Sequence, residues 1–364
     1  WYFFINRLYW STLLFLYKIG GVYLAVKKIG TQTVKFDSPP VITGTSSTVG
    51  PKEGEGPLSE YFDVILKDDL YGEKSWELAE SKMLRETVKA AVEMAGKKLS
   101  DMEYMFSGDL LNQLMSASFA ARDLELPFFG LYGACSTMTE SLSLGSMLVD
   151  GGYADNLIAV TSSHFSSAER QFRFPLEHGN QRKLTAQWTV TGAGAAVVSS
   201  FGDGPEIQYV TTGKVVDLGI KDANNMGAAM APAAADTIVK HFEDTGLPTN
   251  YYDLIVTGDL GQIGKEIAEE MVLDKGYDIL KNYNDCGLLI FDNLAQDTHA
   301  GGSGCGCSAS VFCGYIYKEM MKKNINKVLL ISTGALLSVT STQQGQSIPG
   351  IAHAVSIVNK DKRF

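Results

Sequence analysis

Apolar residues recur along this chain with two different spacings, and the alternation between them predicts its elements. Short apolar runs closed by polar or Gly-rich turns predict strands within residues 34–49 (interrupted by Pro39 and Pro40), 102–113, 156–166, 191–201, 252–260 and 327–338. Between them lie stretches with a helical period. Residues 75–96 have Ser75 as N-cap, Glu77 and Glu80 in the first turns and Gly96 as the stop. Further helices are predicted up to about Arg122, after Cys135 (apolar or small at Met138, Leu142, Gly145, Met147 and Leu148), over 232–243 and over 263–272. The Gly-rich acidic run 50–63 reads as a surface loop, and the long polar excursion 167–190 as a lid or partner surface.

The order of elements repeats. Phe106-Ser-Gly-Asp-Leu110 matches Val256-Thr-Gly-Asp-Leu260 at an offset of about 150, and Ala134-Cys135-Ser136 matches Gly306-Cys307-Ser308 at about 172, an offset at which residues 156–166 also overlay 328–338. Strands alternating with helices in two copies predict an α/β fold of two pseudo-duplicated halves, with parallel strands covered by helices. We place the halves at residues 27–204 and 205–364.

Composition narrows the partners. With 45% hydrophobic and 20% charged residues the chain can bury a sizeable core, and a net charge of −10 spread along its length argues against a nucleic-acid binder. The five cysteines are an odd number, with Cys305 and Cys307 two apart, so neither a disulfide framework nor a zinc site is expected, and no loop has calcium-hand spacing. Residues 1–26 stand apart. They contain no acid, carry Arg7 and Lys18, and are dominated by Leu, Phe, Tyr and Trp, which reads either as a membrane-interface segment or as an extension without a role in the folded domain.

Cys135 is the residue with the most chemistry on offer. A cysteine at a helix N-terminus meets backbone N–H groups and the positive end of the helix dipole, which favour the nucleophilic thiolate; the competing reading is a buried cysteine acting as a small hydrophobe. Asp109 and Asp259 occupy equivalent Gly-Asp-Leu turns and read as helix N-caps. Gly192-Ala-Gly194 lacks the spacing and acidic partner of a dinucleotide fingerprint, so no cofactor is expected.

These halves, with a cysteine between strand and helix in the first, resemble the thiolase fold of thiolases and ketoacyl synthases, a layered α-β-α-β-α arrangement. The string His299-Ala-Gly-Gly-Ser-Gly304 is similar to the thiolase histidine motif, one residue shorter, and residues 344–357 are similar to the closing glycine-rich strand. The resemblance implies Cys135 as acyl acceptor and His299 as its base. The departures are larger: where thiolases carry a second cysteine the chain reads Gln344-Gly-Gln-Ser347, and where ketoacyl synthases carry a histidine it offers Gly258 and Asp259. The condensation set is incomplete, so catalysis is not expected, with acyl transfer or thioester cleavage by Cys135 and His299 as the alternative.

Strings including YGACSTMTESL, SSHFSSAERQFRFPLE and HAGGSGCGCSAS resemble a family of sporulation proteins of endospore-forming bacteria built on that scaffold. The resemblance implies binding of dipicolinic acid, alone or as its calcium chelate, within a transport assembly formed with other proteins of the same operon, at the inner membrane of the developing spore. A flat ring with two carboxylates calls for an apolar slot and donors or cations. The candidates are Cys135, His164, Arg170, Arg173 and His299. The arginines read equally as solvated or inter-subunit residues, His164 as a satisfied buried histidine, and Trp188 as a core residue in preference to a stacking partner. A homodimer through the strand near residues 127–133 is the expectation from the fold, and no metal site is expected.

Overall fold

The structure, a computed structural model, describes residues 26–172 and 181–360. The first half supplies strands β1 (Val41–Val49), β2 (Tyr104–Gly108), β3 (Phe128–Gly130), β4 (Asn156–Ser163) and β5 (Gly192–Ser199); the second supplies β6 (Glu206–Thr211), β7 (Leu254–Thr257), β8 (Tyr283–Asp285), β9 (Lys327–Ala335) and β10 (Gly350–Val358). They hydrogen-bond in the order β8-β7-β9-β10-β6-β1-β5-β4-β2-β3. Read from either end, the order of equivalent strands is the same, and β6 meets β1 in the middle through one pair, Glu206 with Val41. This is the duplication the repeated strings predict.

Helices α1 (Trp76–Met94), α2 (Met115–Leu124), α3 (Thr137–Asp150) and α4 (Phe165–Phe172) belong to the first half, and α5 (Met226–Thr245), α6 (Gly261–Leu273) and α7 (Cys305–Val311) to the second. The α1 and α2 helices cover the outer face of the first sheet, α5 and α6 that of the second, and α3 with α7 fills the space between, giving five layers. Burial follows the same layering. Met138, Leu142, Cys307 and Phe312 lie in the middle, Leu84, Met105 and Ala120 under the first outer layer, and Met230, Ile255 and Leu329 under the second.

Local signals mostly hold. Ser75 accepts from the Leu78 N–H as α1 begins, and Gly96 takes φ +67° as the chain leaves it. The predicted start at Pro232 is too late: α5 begins at Met226 and carries Pro232 inside it, because the buried alanines around Pro232 gain more from packing than the lost backbone hydrogen bond costs. The Gly192-Ala-Gly194 string is explained by packing. A Cβ on Gly194 would lie 2.1 Å from the carbonyl oxygen of Ala309, so the glycine lets α7 rest directly on β5. Of the apolar N-terminal stretch, residues 1–25 lie outside the described residues, and among those described no helix is long and apolar enough to cross a membrane.

Candidate functional site

The chain leaves β3 through Leu131 and Tyr132, makes a tight turn, and enters α3. Gly133 N–H donates to Thr137 Oγ1, and the Ser136 and Thr137 hydroxyls donate back to the carbonyls of Gly133 and Ala134. This lacing holds Ala134 at φ +49°, an uncommon conformation for a residue with a Cβ, and turns Cys135 into the space between the halves. Cys135 is 6% exposed.

What it meets comes from the second half. Asp259 follows β7 and is fully buried. One of its oxygens accepts from Thr333 Oγ1, and the other from Ser303 Oγ at 2.9 Å and from Gly304 N–H at 3.2 Å. The Cys135 thiol lies 4.0 Å from Ser303 Oγ, which in turn donates to Asp259. Burial pushes the thiol well above its ordinary pKa, and the Asp259 carboxylate and the neighbouring Cys305 push it further. Burial and the nearby carboxylate thus oppose the thiolate that the start of α3, two residues downstream, would favour. Asp259 is itself raised by burial, against the opposing effect of its hydrogen bonds from Thr333, Ser303 and Gly304.

The helix-cap reading holds for one aspartate of the pair. Asp109 accepts from the N–H groups of Leu111 and Ala117, the latter in the first turn of α2. Asp259 does not cap α6. That task falls to Asp285, which accepts from Leu260 and Gly261 N–H at 2.8 and 3.0 Å and whose pKa burial pushes up to about 7.

Above Cys135 opens a pocket with about 450 Å³ of empty space. Leu110, Tyr132, Phe172, Met226 and Leu337 give it apolar walls, while Cys135, Ser303, Thr189 and Glu169 supply the polar groups. Glu169 Oε1 accepts from Thr189 Oγ1 at 2.8 Å.

Of the described residues that the sequence nominates, the structure brings Cys135 alone to this pocket. His299 is not among the residues that line it; its Nδ1 is 2.8 Å from the Lys183 carbonyl and its Nε2 3.1 Å from Asp297. His164 is a satisfied buried histidine: Nε2 is 2.7 Å from the Asp69 carbonyl, Nδ1 accepts from Ser166 N–H, and burial lowers its pKa. Arg170 pairs with Glu77 and rests over Trp76 on the opposite face of α4. Arg173 lies outside the described residues. Trp188 stacks on Phe165 at 3.9 Å between centroids and does not line the pocket. Sequence reasoning missed Ser303 and Glu169 altogether and misjudged Asp259; the one signal it had was that Asp259 stands where ketoacyl synthases carry histidine.

Comparison with known proteins agrees with this geometry. The fold is shared with 3-oxoacyl-[acyl-carrier-protein] synthase III from Aquifex aeolicus VF5, at 12% identity and a TM-score of 0.54 over 88% of this chain and 99% of that one. It is also shared with Xanthomonas campestris OleA, at 12% identity and a TM-score of 0.57 over 89% and 99%. At such identities the likeness establishes the thiolase-like fold and nothing of activity. In sequence, the chain is 44% identical over 330 residues to stage V sporulation protein AD of Bacillus subtilis (strain 168), covering 91% of this chain and 97% of that protein. Residues 30–358 match the stage V sporulation protein AD family along its length. The chain therefore belongs to the stage V sporulation protein AD family, a sporulation protein on a condensing-enzyme scaffold whose buried cysteine faces an aspartate.

Proposed function

We propose that the pocket above Cys135 binds dipicolinic acid or its calcium chelate and performs no acyl condensation, the protein serving as the ligand-binding subunit of a dipicolinate transport assembly in sporulation and germination. The observation that carries the reading is that the group reached from the thiol, through Ser303 Oγ, is the Asp259 carboxylate and not an imidazole. A nucleophile needs a partner that accepts its proton, and a facing carboxylate in a dry site holds that proton on sulfur. What is left is a small slot with apolar walls and a few polar groups at its base, the composition of a binding site. Among the described residues no Lys, Arg or His lines the pocket.

The same reading places the protein at the inner membrane of the developing spore with other products of its operon, and pairs two copies through the edge strand β3, where Phe129 is 47% exposed. Calorimetric titration with dipicolinate, with and without calcium, tests the binding. Wild type is expected to bind, and Ala335→Phe, which fills the pocket while leaving its polar base intact, to bind at least about tenfold more weakly. Absence of binding by a folded wild type, or transfer of an acyl group from a CoA thioester to Cys135, overturns the proposal.

A further inference from the structure

Four apolar side chains stand exposed at the end of the first half where its strands β1, β2 and β4 begin: Val26 (71% exposed), Met94 (65%), Tyr153 (76%) and Phe201 (74%). They are neighbours around one rim. Tyr153 borders a concavity with Ser38, Asp150 and Ser200, the residue before Phe201. Lys27 donates to Asp150 Oδ2 at 2.7 Å, which brings Val26 to the same place. Lys97 lies 5.9 Å over the Phe201 ring, three residues beyond Met94 at the end of α1.

Three acids of this rim are engaged locally, while Asp37, its side chain 73% exposed and 4.0 Å from Lys27, and the exposed Asp203 face solvent. Asp150 holds Lys27 and the Ser38 N–H, Glu103 accepts from the N–H groups of Asp155 and Asn156, and Asp155 accepts from Ser200 Oγ. Tyr153 and Phe201 sit on separate turn tips with polar groups between them, unlike the continuous apolar core of a protein interface. Aromatic rings on projecting turns beside lysines suit a lipid headgroup layer, where the ring is half-immersed and the ammonium reaches water or phosphate. The chain outside the structure points the same way. The 25 residues before Val26 carry no acid and are rich in Leu, Phe, Tyr and Trp, and they join the fold at this rim.

We propose that this end of the molecule seats on a bilayer surface, Tyr153 and Phe201 entering at headgroup level, with the ligand pocket directed away from the lipid. The strand β1 runs nine residues from this end to Gly50, which pairs with Thr191 beside the pocket residue Thr189. At about 3.3 Å per residue the pocket stands about 30 Å above the rim. The inference is independent of what the pocket binds, and its test does not use the ligand.

All five native cysteines are buried, so single cysteines can be labelled selectively on the full chain. Tyr153→Cys, Phe201→Cys and, as control at the far end, Leu294→Cys (96% exposed) would each carry a nitrobenzoxadiazole dye and be mixed with phosphatidylglycerol–phosphatidylcholine vesicles. The expected result is co-flotation of the protein with vesicles and a blue shift of dye emission at 153 and 201 with none at 294. Failure to float, flotation without a shift at 153 and 201, or an equal shift at 294 overturns the proposal.

Discussion

Replacing Asp259 by Asn should turn Cys135 from an inert thiol into a reactive one, and the size of the change can be worked from the site. The carboxylate is reached from the thiol through Ser303 Oγ, 4.0 Å from Cys135 Sγ and 2.9 Å from Asp259 Oδ2. A unit charge about 5 Å from a developing thiolate, at an effective dielectric of about 20, opposes ionisation by roughly 3 kcal/mol, or about 2 pKa units. Burial opposes it as well and is not removed by the substitution. The assay is the pH profile of iodoacetamide alkylation at Cys135, followed by peptide mapping because Cys286, Cys305, Cys307 and Cys313 are fully buried. The profile's midpoint should fall by about 2 units in Asp259→Asn. Asn also disturbs the donors from Thr333, Ser303 and Gly304, at a cost of about 1–3 kcal/mol in stability. Such loosening would raise the rate at every pH without moving the midpoint, so the midpoint is the decisive readout. A folded variant whose midpoint stays within about half a unit of wild type would refute the reasoning.

Three further outcomes follow from the structure. His299→Ala and Arg170→Ala should leave dipicolinate affinity within about threefold of wild type in the titration above, because neither side chain lines the pocket; a tenfold loss in either would relocate the site. Gly194→Ala should cost about 2–4 kcal/mol in denaturant unfolding, since its Cβ would sit 2.1 Å from a backbone oxygen of α7 that cannot move alone, and a change under about 0.5 kcal/mol would contradict the packing. Glu53 is buried, accepts from Thr191 N–H, and is pushed up to about 8, so the folded state binds its proton more tightly than the unfolded chain does between about pH 4.5 and 8. Stability is therefore lost as pH rises through that window, by up to roughly 1.4 kcal/mol per unit from this group, and Glu53→Gln should flatten the fall in melting temperature measured from about pH 6 to about pH 8.

Much of the fold was legible because its signals are local. Strand runs such as 156–163 and 327–335 are buried on both faces and therefore read as continuous apolar strings, and the cap at Ser75 and stop at Gly96 are readable from single residues. The repeated strings gave the duplication, and with it the layering. The site was less legible, because its chemistry is decided by groups that arrive from distant parts of the chain. Nothing near Cys135 in sequence announces that 124 residues later an aspartate will face its thiol.

The two Gly-Asp-Leu turns show why the pattern alone misleads. Each follows a strand and precedes a helix, and in the first half Asp109 does what that context predicts, holding the first turn of α2. In the second half the turn is the same, but Asp285 has taken over the N–H groups at the start of α6. Asp259 is left to face inward, where the Cys135 loop of the other half closes over it and Ser303 and Thr333 meet its oxygens. Duplication thus produced two equivalent positions, and the crossing of one half into the other made them chemically unlike. The residue that sets the electrostatics of the cysteine therefore lies on a different element, in the other half of the chain.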